Sequence, residues 1–79
     1  MKVYQRIRNL REDADFTQFQ MAYFLHCAQQ TYSDYERGKH DIPTDILISL
    51  ANIHNTSVDY LLDLTDEKKP YKRKTRKKS

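Results

Sequence analysis

Only three residues, 26–28, separate two segments of this chain that each have the pattern of a short helix. So short a link forces the two helices to cross at a steep angle, and the turn between them must be made by "HCA" alone. This spacing limits the possible folds more than any other feature of the sequence.

The two segments have the features that begin and end helices. Thr17 precedes residues 18–25, where its hydroxyl can cap the helix, and Met21, Ala22 and Leu25 share one face. The second segment, residues 29–36, has Tyr32 and Tyr35 as inward candidates. It ends at Gly38, which can adopt the left-handed conformation that closes a helix.

Three further helices are predicted on either side of this pair. In residues 1–14 the apolar side chains recur at helical spacing, at Val3, Ile7, Leu10 and Ala14. Thr44 is expected to cap a helix over residues 45–54, and Ser57 another over 58–64. No stretch alternates with period two for long enough to indicate a strand. The sequence therefore predicts an all-α fold, a compact bundle of five short helices.

The charges are distributed very unevenly along the chain. Residues 68–79 hold eight of the fourteen Lys and Arg and no acid, whereas residues 1–67 hold six bases and all eleven acids, a net charge of −5. The basic segment has no periodic apolar residues and repels itself, which is typical of disorder. We therefore expect a folded domain over residues 1–66 and a disordered basic tail over residues 67–79.

Several function classes are excluded by what the chain lacks. The single cysteine, Cys27, cannot form an internal disulfide, and three histidines spaced fourteen residues apart give no zinc pattern. No apolar run approaches the roughly 20 residues that span a bilayer, and there is no signal-peptide pattern. No paired carboxylates, nucleophile–base set or Gly-rich phosphate loop can be assembled. We expect a cytoplasmic, non-enzymatic protein with no membrane segment, metal or cofactor.

The adjacent glutamines Gln29 and Gln30 open the second helix of the tightly linked pair. A glutamine amide offers an acceptor and donors on one planar group, which matches the N7 and N6 edge of adenine. In a helix-turn-helix the second helix enters the major groove with its N-terminal residues at the base edges. The alternative is a solvated polar face. Within this geometry we favour base recognition.

The sequence resembles the Cro/C1-type (XRE-family) helix-turn-helix domain of phage repressors and small bacterial regulators. The shared elements are "TQ" at the start of the second helix, Ala22 within it, "YERGK" after the third helix, and then "IPTDILISLA" and "SVDYLL". The resemblance extends from about Val3 to Asp66. It implies a lambda-repressor-like fold and binding to double-stranded DNA.

The resemblance also implies roles for individual residues. Base contacts are expected from Gln29, Gln30, Ser33 and Asp34. Phosphate contacts are expected from Thr17, Gln18, Thr31, Arg37, Gly38 and Lys39. An arginine of the first helix pairs with the glutamate after the recognition helix in the family, which implies a structural ion pair between Arg11 and Glu36. The tail lies outside the resemblance, and its charge alone favours non-specific contacts with DNA, at Lys72, Arg73, Lys74, Arg76, Lys77 and Lys78. The alternatives are a solubilising terminus and a targeting signal.

This chain departs from the family at a few positions. His26 occupies a site that is expected to need a positive φ, and Ala28 replaces the usual hydroxyl cap of the recognition helix. Asp34 places a negative charge on the face that should meet DNA. Three interpretations of Asp34 stay open: it accepts from a cytosine, it repels phosphate, or it pairs within the helix with Gln30.

The sequence therefore predicts a small transcriptional regulator, a repressor, that reads an operator through Gln29 and Gln30. Two half-sites require two recognition helices, so we expect a homodimer on DNA, weak in solution, formed near Leu61 to Leu64. The alternative is a protein-interaction module, an antitoxin or co-regulator. Its partner would bind the aromatic residues of the second helix, Phe19, Tyr23 and Phe24, and DNA would be bound only non-specifically by the tail.

Overall fold

The computed structural model describes residues 3–70, and over that range the chain forms five α-helices and no strand. In chain order they are α1 (Gln5–Asp13), α2 (Gln18–Leu25), α3 (Gln29–Arg37), α4 (Thr44–Ile53) and α5 (Val58–Leu61). The predicted all-α bundle is confirmed. The predicted boundary between domain and tail stays a prediction, because residues 71–79 lie outside the described residues.

One core joins all five helices. Its buried apolar residues are Ile7, Leu10, Met21, Ala22, Leu25, Tyr32, Tyr35, Leu50, Ala51 and Leu61. The longest helix has ten residues, and isolated helices of fewer than about 12 residues are only marginally stable in water. Packing against the shared core is therefore what keeps each helix folded.

Two of the predicted helix caps are confirmed and one is wrong. Thr17 forms a capping box with Gln20, in which each side chain bonds to the other residue's backbone N–H, and Ser57 accepts from the Tyr60 backbone N–H. Thr44, in contrast, is the first residue of α4 and the N-cap is Pro43. Pro43 has a ψ of 151° and is the extended residue before the helix, so α4 begins one residue earlier than a threonine cap would place it.

Every helix ends with the same backbone arrangement. A residue with positive φ follows the helix, and the next N–H donates to the carbonyl five residues back, as Phe16 does to Arg11 and Cys27 does to Ala22. The positive-φ residues are Asp15, His26, Gly38, Asn55 and Asp63. Four of these five turns are made without glycine, at some conformational cost.

The first and last helices are shorter than predicted. Val3 precedes α1 and Ala14 follows it, and both are exposed, so the apolar stripe of α1 is reduced to two buried residues. The fifth helix ends at Leu61 instead of residue 64 because Asp63 adopts a φ of 65°. Leu61 itself is fully buried.

Arg6 attaches the segment after α5 to α1. Its guanidinium lies 4.1 Å from the centre of the Tyr60 ring and donates to the backbone carbonyls of Tyr60 and Thr65. It also bonds to the Asp66 carboxylate at 2.7 Å and lies 3.2 Å from that of Asp63. Arg6 therefore fixes where the chain leaves the helical bundle.

Candidate nucleic-acid interface

The turn between α2 and α3 is made by the three residues that the spacing predicted. His26 adopts φ 57° and ψ 43°, the positive φ that was expected, and Ala28 is extended and provides no side-chain cap to α3. Cys27 is half-buried beneath the turn, and burial raises the pKa of its thiol. α2 and α3 pack directly against each other. The first turn of α3 is thereby held at the surface.

α3 has a buried side and an exposed side. Tyr32, Tyr35 and Glu36 face the core, whereas Gln29, Gln30 and Arg37 are exposed. With 3.6 residues per turn, Ser33 and Asp34 lie on the same side as the glutamines, one turn further along. Both are half-buried. The four residues predicted to contact bases therefore share one face of one helix.

Within that face, Asp34 is already engaged by its neighbours. Gln30 Nε2 donates to Asp34 Oδ1 at 2.9 Å, and His40 Nε2 lies 3.3 Å from Oδ2. Arg37 approaches Oδ1 at 4.0 Å, and the Asp34 side chain is only 13% exposed. The pairing with Gln30, one of the three interpretations left open, is present. The two that involve DNA stay predictions. His40 was not predicted from the sequence, since it lies beyond the Gly38 turn and shares no helical spacing with Asp34.

The residues predicted to contact phosphate fall into two groups. Thr17 and Gln18 stand at the start of α2, and both side chains already have hydrogen-bond partners within the protein. Thr17 is in its capping box, and Gln18 donates to Glu36 Oε1 at 3.0 Å. The others lie along α3 and its end. Thr31 is half-buried, Gly38 is buried with φ 74°, and Arg37 and Lys39 are exposed.

Beneath α3, Arg11 and Glu36 form a two-point ion pair, the pair that the resemblance implied. Arg11 Nε lies 2.6 Å from Glu36 Oε2 and NH2 lies 3.2 Å from Oε1, while NH1 donates to the Phe16 carbonyl at 2.9 Å. Burial alone would raise the pKa of Glu36, but the hydrogen bonds from Arg11 and Gln18 outweigh it and hold that pKa below its usual range. The cluster ties α1, α2 and α3 together.

The aromatic residues of α2 form a second exposed surface. Phe19 is 63% exposed and Tyr23 72%. Phe24 is less exposed, and its ring packs edge-on against both Phe16, at 5.3 Å between centres, and Tyr23, at 6.2 Å. Phe19 and Tyr23 are one helical turn apart, so they are adjacent on the surface.

Other predicted features are only partly visible. The tail residues Lys72, Arg73, Lys74, Arg76, Lys77 and Lys78 lie outside the described residues. Within residues 3–70, no group of histidine, cysteine, aspartate and glutamate side chains could hold a metal, and no helix is long and apolar enough to cross a bilayer. Of the segment predicted to form a dimer, Leu61 is in the core and Leu64 is 71% exposed.

Comparison with known proteins gives a consistent result. A family model described as "Helix-turn-helix domain" matches residues 5–64. Three proteins of Bacillus subtilis (strain 168) are similar to this chain. The "Uncharacterized HTH-type transcriptional regulator YobD" is 39% identical over 66 residues, which are 84% of this chain and 59% of that protein.

The other two relatives have similar identities. The "HTH-type transcriptional regulator ImmR" is 39% identical over 62 residues, 78% of this chain and 49% of the relative. The "SPbeta prophage-derived uncharacterized HTH-type transcriptional regulator YonR" is 36% identical over 58 residues, 73% of this chain and 54% of the relative. The chain thus spans about half the length of the curated relatives that it matches.

Proposed function

This chain belongs to the helix-turn-helix domain family, and we propose that it is a sequence-specific DNA-binding transcriptional regulator, a repressor, whose α3 enters the major groove. One observation carries the proposal. α3 buries Tyr32 and Tyr35 and exposes Gln29 and Gln30 in its first turn, directly after a three-residue turn. Side chains at that end of a recognition helix are the ones that reach base edges. The three relatives are named transcriptional regulators.

In this arrangement Gln29 and Gln30 read bases, with Ser33 and Asp34 on the same face. The amide of each glutamine can pair with the N7 and N6 edge of an adenine. Gln18 stands at the start of α2, where the backbone N–H groups of the first turn attract a phosphate. Its side chain is bonded to Glu36, so the backbone is the better donor there.

The remaining phosphate contacts follow from the end of α3. Arg37 and Lys39 are exposed on either side of Gly38. The backbone N–H groups of Gly38 and Lys39 donate to the carbonyls of Tyr35 and Asp34, so the two side chains are the better donors to phosphate there. Residues 1–67 have a net charge of −5, so these two cations alone give little attraction to the phosphates of DNA. We propose that the basic residues 68–79 supply the rest, since neutralising phosphates provides most of the non-specific affinity for DNA.

A single domain of this size covers one half-site, so we propose that two copies bind one operator. Leu64 is the exposed apolar residue of the predicted dimer segment and the position best suited to such a contact. The chain would then act where the DNA is, in the cytoplasm of a bacterium.

One observation favours a second function. The exposed pair Phe19 and Tyr23 is an apolar surface on α2 that nothing within residues 3–70 covers, and exposed apolar patches often mark protein interfaces. If a protein partner binds there, the helix-turn-helix would serve as an antitoxin or co-regulator. DNA would then be bound without sequence preference.

Selection of duplexes from a random pool distinguishes the two functions. The full chain is incubated with the pool at roughly physiological salt, and the retained duplexes are sequenced. We expect an inverted repeat with half-sites about one helical turn apart, and Gln29→Ala should relax one position of each half-site. Retention without enrichment would refute sequence-specific recognition and support the protein-interaction function.

A further inference from the structure

We propose that Asp34 is a positioning residue: it fixes the orientation of the Gln30 amide and thereby makes Gln30 selective for adenine over guanine. This inference rests on the proposed function, because it concerns how α3 would read a base. It assigns to Asp34 a role other than contact with a base of its own. The argument depends on the chemistry of the two side chains and on what holds Asp34 in place.

The first step is the polarity of the hydrogen bond between the two side chains. Gln30 Nε2 donates to Asp34 Oδ1 at 2.9 Å. An ionised carboxylate has only acceptors, so an amide that bonds to it must present its nitrogen and not its oxygen. The oxygen of Gln30 therefore points away from Asp34. The two ends of the amide, which are otherwise interchangeable by rotation, become distinguishable.

The second step is that Asp34 is itself fixed. Its side chain is 13% exposed and has a neighbour at each oxygen: Gln30 at Oδ1, and His40 Nε2 at 3.3 Å from Oδ2. His40 comes from the segment after Gly38, which folds back because the Lys39 N–H donates to the Asp34 carbonyl at 2.9 Å. Asp34 is thus held from α3 and from the following loop. Because His40 holds Oδ2, the carboxylate can orient the Gln30 amide that bonds to Oδ1.

The third step concerns what remains for DNA. The Gln30 amide has two N–H donors and one carbonyl acceptor, and one donor is used by Asp34. One donor and one acceptor remain, the pair that complements N7 and the N6 amine of adenine. Guanine presents two acceptors, N7 and O6, and would need both donors. With Asp34 in place the second donor is not free, so guanine is disfavoured.

The experiment compares adenine with guanine at one position. The selected duplex is used to locate the base pair whose preference disappears in Gln30→Ala. The dissociation constants of the A·T and G·C forms at that position are then measured by fluorescence anisotropy. The proteins are the wild-type chain, Asp34→Ala, Gln30→Ala and the double variant. Asp41→Ala is the matched control, because it removes one exposed acid that is not bonded to Gln30.

We expect the wild-type chain and Asp41→Ala to prefer the A·T form by at least about fivefold. Asp34→Ala should bind both forms more tightly, since one negative charge is gone, but its A·T preference should fall to a value between those of the wild-type chain and Gln30→Ala, because the freed amide can still contact adenine. The double variant should have the same A·T preference as Gln30→Ala alone, because Asp34 affects base choice only through Gln30.

Other results would overturn the inference. An unchanged A·T preference in Asp34→Ala would show that the pair does not determine base choice. A preference lost at a different base pair would show that Asp34 reads a base directly. If the wild-type chain enriches no sequence at all, the proposed function fails first, before any variant is compared, and the inference fails with it.

Discussion

Arg11 and Glu36 form a two-point ion pair beneath α3, the helix that carries Gln29 and Gln30. Arg11 Nε lies 2.6 Å from Glu36 Oε2, and NH2 lies 3.2 Å from Oε1. The Glu36 side chain is 3% exposed and that of Arg11 12%. Glu36 also receives the Gln18 amide from the start of α2. One carboxylate therefore sets the relation between α1, α2 and α3. The position of the exposed face of α3 therefore depends on a buried ion pair.

Replacing Glu36 with glutamine should destabilise the fold strongly. The change keeps the shape of the side chain but leaves the largely buried Arg11 charge without its counter-charge, which costs about 3 kcal/mol in comparable pairs. Urea unfolding followed by circular dichroism measures the loss. The control is Arg8→Gln, which removes an exposed pair with Glu12 at 3.2 Å and should change stability by less than about 1 kcal/mol. Equal stabilities of the two variants would contradict the prediction.

The same carboxylate should make stability fall in acid. The pKa of Glu36 is held below its usual range in the folded chain, so the unfolded chain takes up its proton first as the pH falls. The stabilisation is therefore complete above the ordinary glutamate pKa of about 4.3 and is lost progressively below it. Unfolding free energies measured between pH 6 and pH 3 should fall less steeply in Glu36→Gln than in the wild-type chain. Parallel pH profiles would show that Glu36 does not contribute.

Stability should rise when the turn between α2 and α3 receives a glycine. His26 has a φ of 57° and its side chain is exposed, so the substitution removes a steric cost of about 1 kcal/mol without removing a buried contact. Thermal unfolding of His26→Gly should therefore show a higher midpoint. His26→Ala is the matched control, because it removes the ring but keeps the Cβ. A rise in both variants would assign the effect to the ring and not to the backbone.

Much of this architecture is predictable because it depends on local patterns. The three-residue link, the caps at Thr17 and Ser57, and the buried pair Tyr32 and Tyr35 all follow from spacing along the chain. The ends of the first and last helices were less predictable. Val3 and Ala14 fit the apolar spacing of α1 but lie outside the helix and are exposed. The spacing alone does not show where the helix ends, because tertiary packing decides it.

The contacts that the sequence does not predict join residues that are far apart in the chain or lie on either side of a chain reversal. His40 reaches Asp34 because the chain reverses at Gly38. Arg6 reaches Tyr60 and Asp66 across more than fifty residues. Neither pair has a periodic spacing, so no local pattern could indicate it. The sequence predicts which residues share the glutamine face of α3. It gives the hydrogen bond between Gln30 and Asp34 only as one of three alternatives.

Lys39 should contribute affinity for DNA without contributing sequence choice. It is exposed just after α3, where a lysine can neutralise one phosphate but is beyond the base-reading face. Replacing it with alanine should weaken binding to all duplexes by a similar factor and reduce the slope of log K against log salt by about 1. Dissociation constants measured by fluorescence anisotropy at salt concentrations from about 50 to about 300 mM would give that slope. Gln29→Ala is the contrasting variant, because it should keep the wild-type slope and lose preference at one base pair. If Lys39→Ala instead alters base preference at an unchanged slope, the lysine belongs to the base-reading face and the proposed placement of α3 in the groove is wrong.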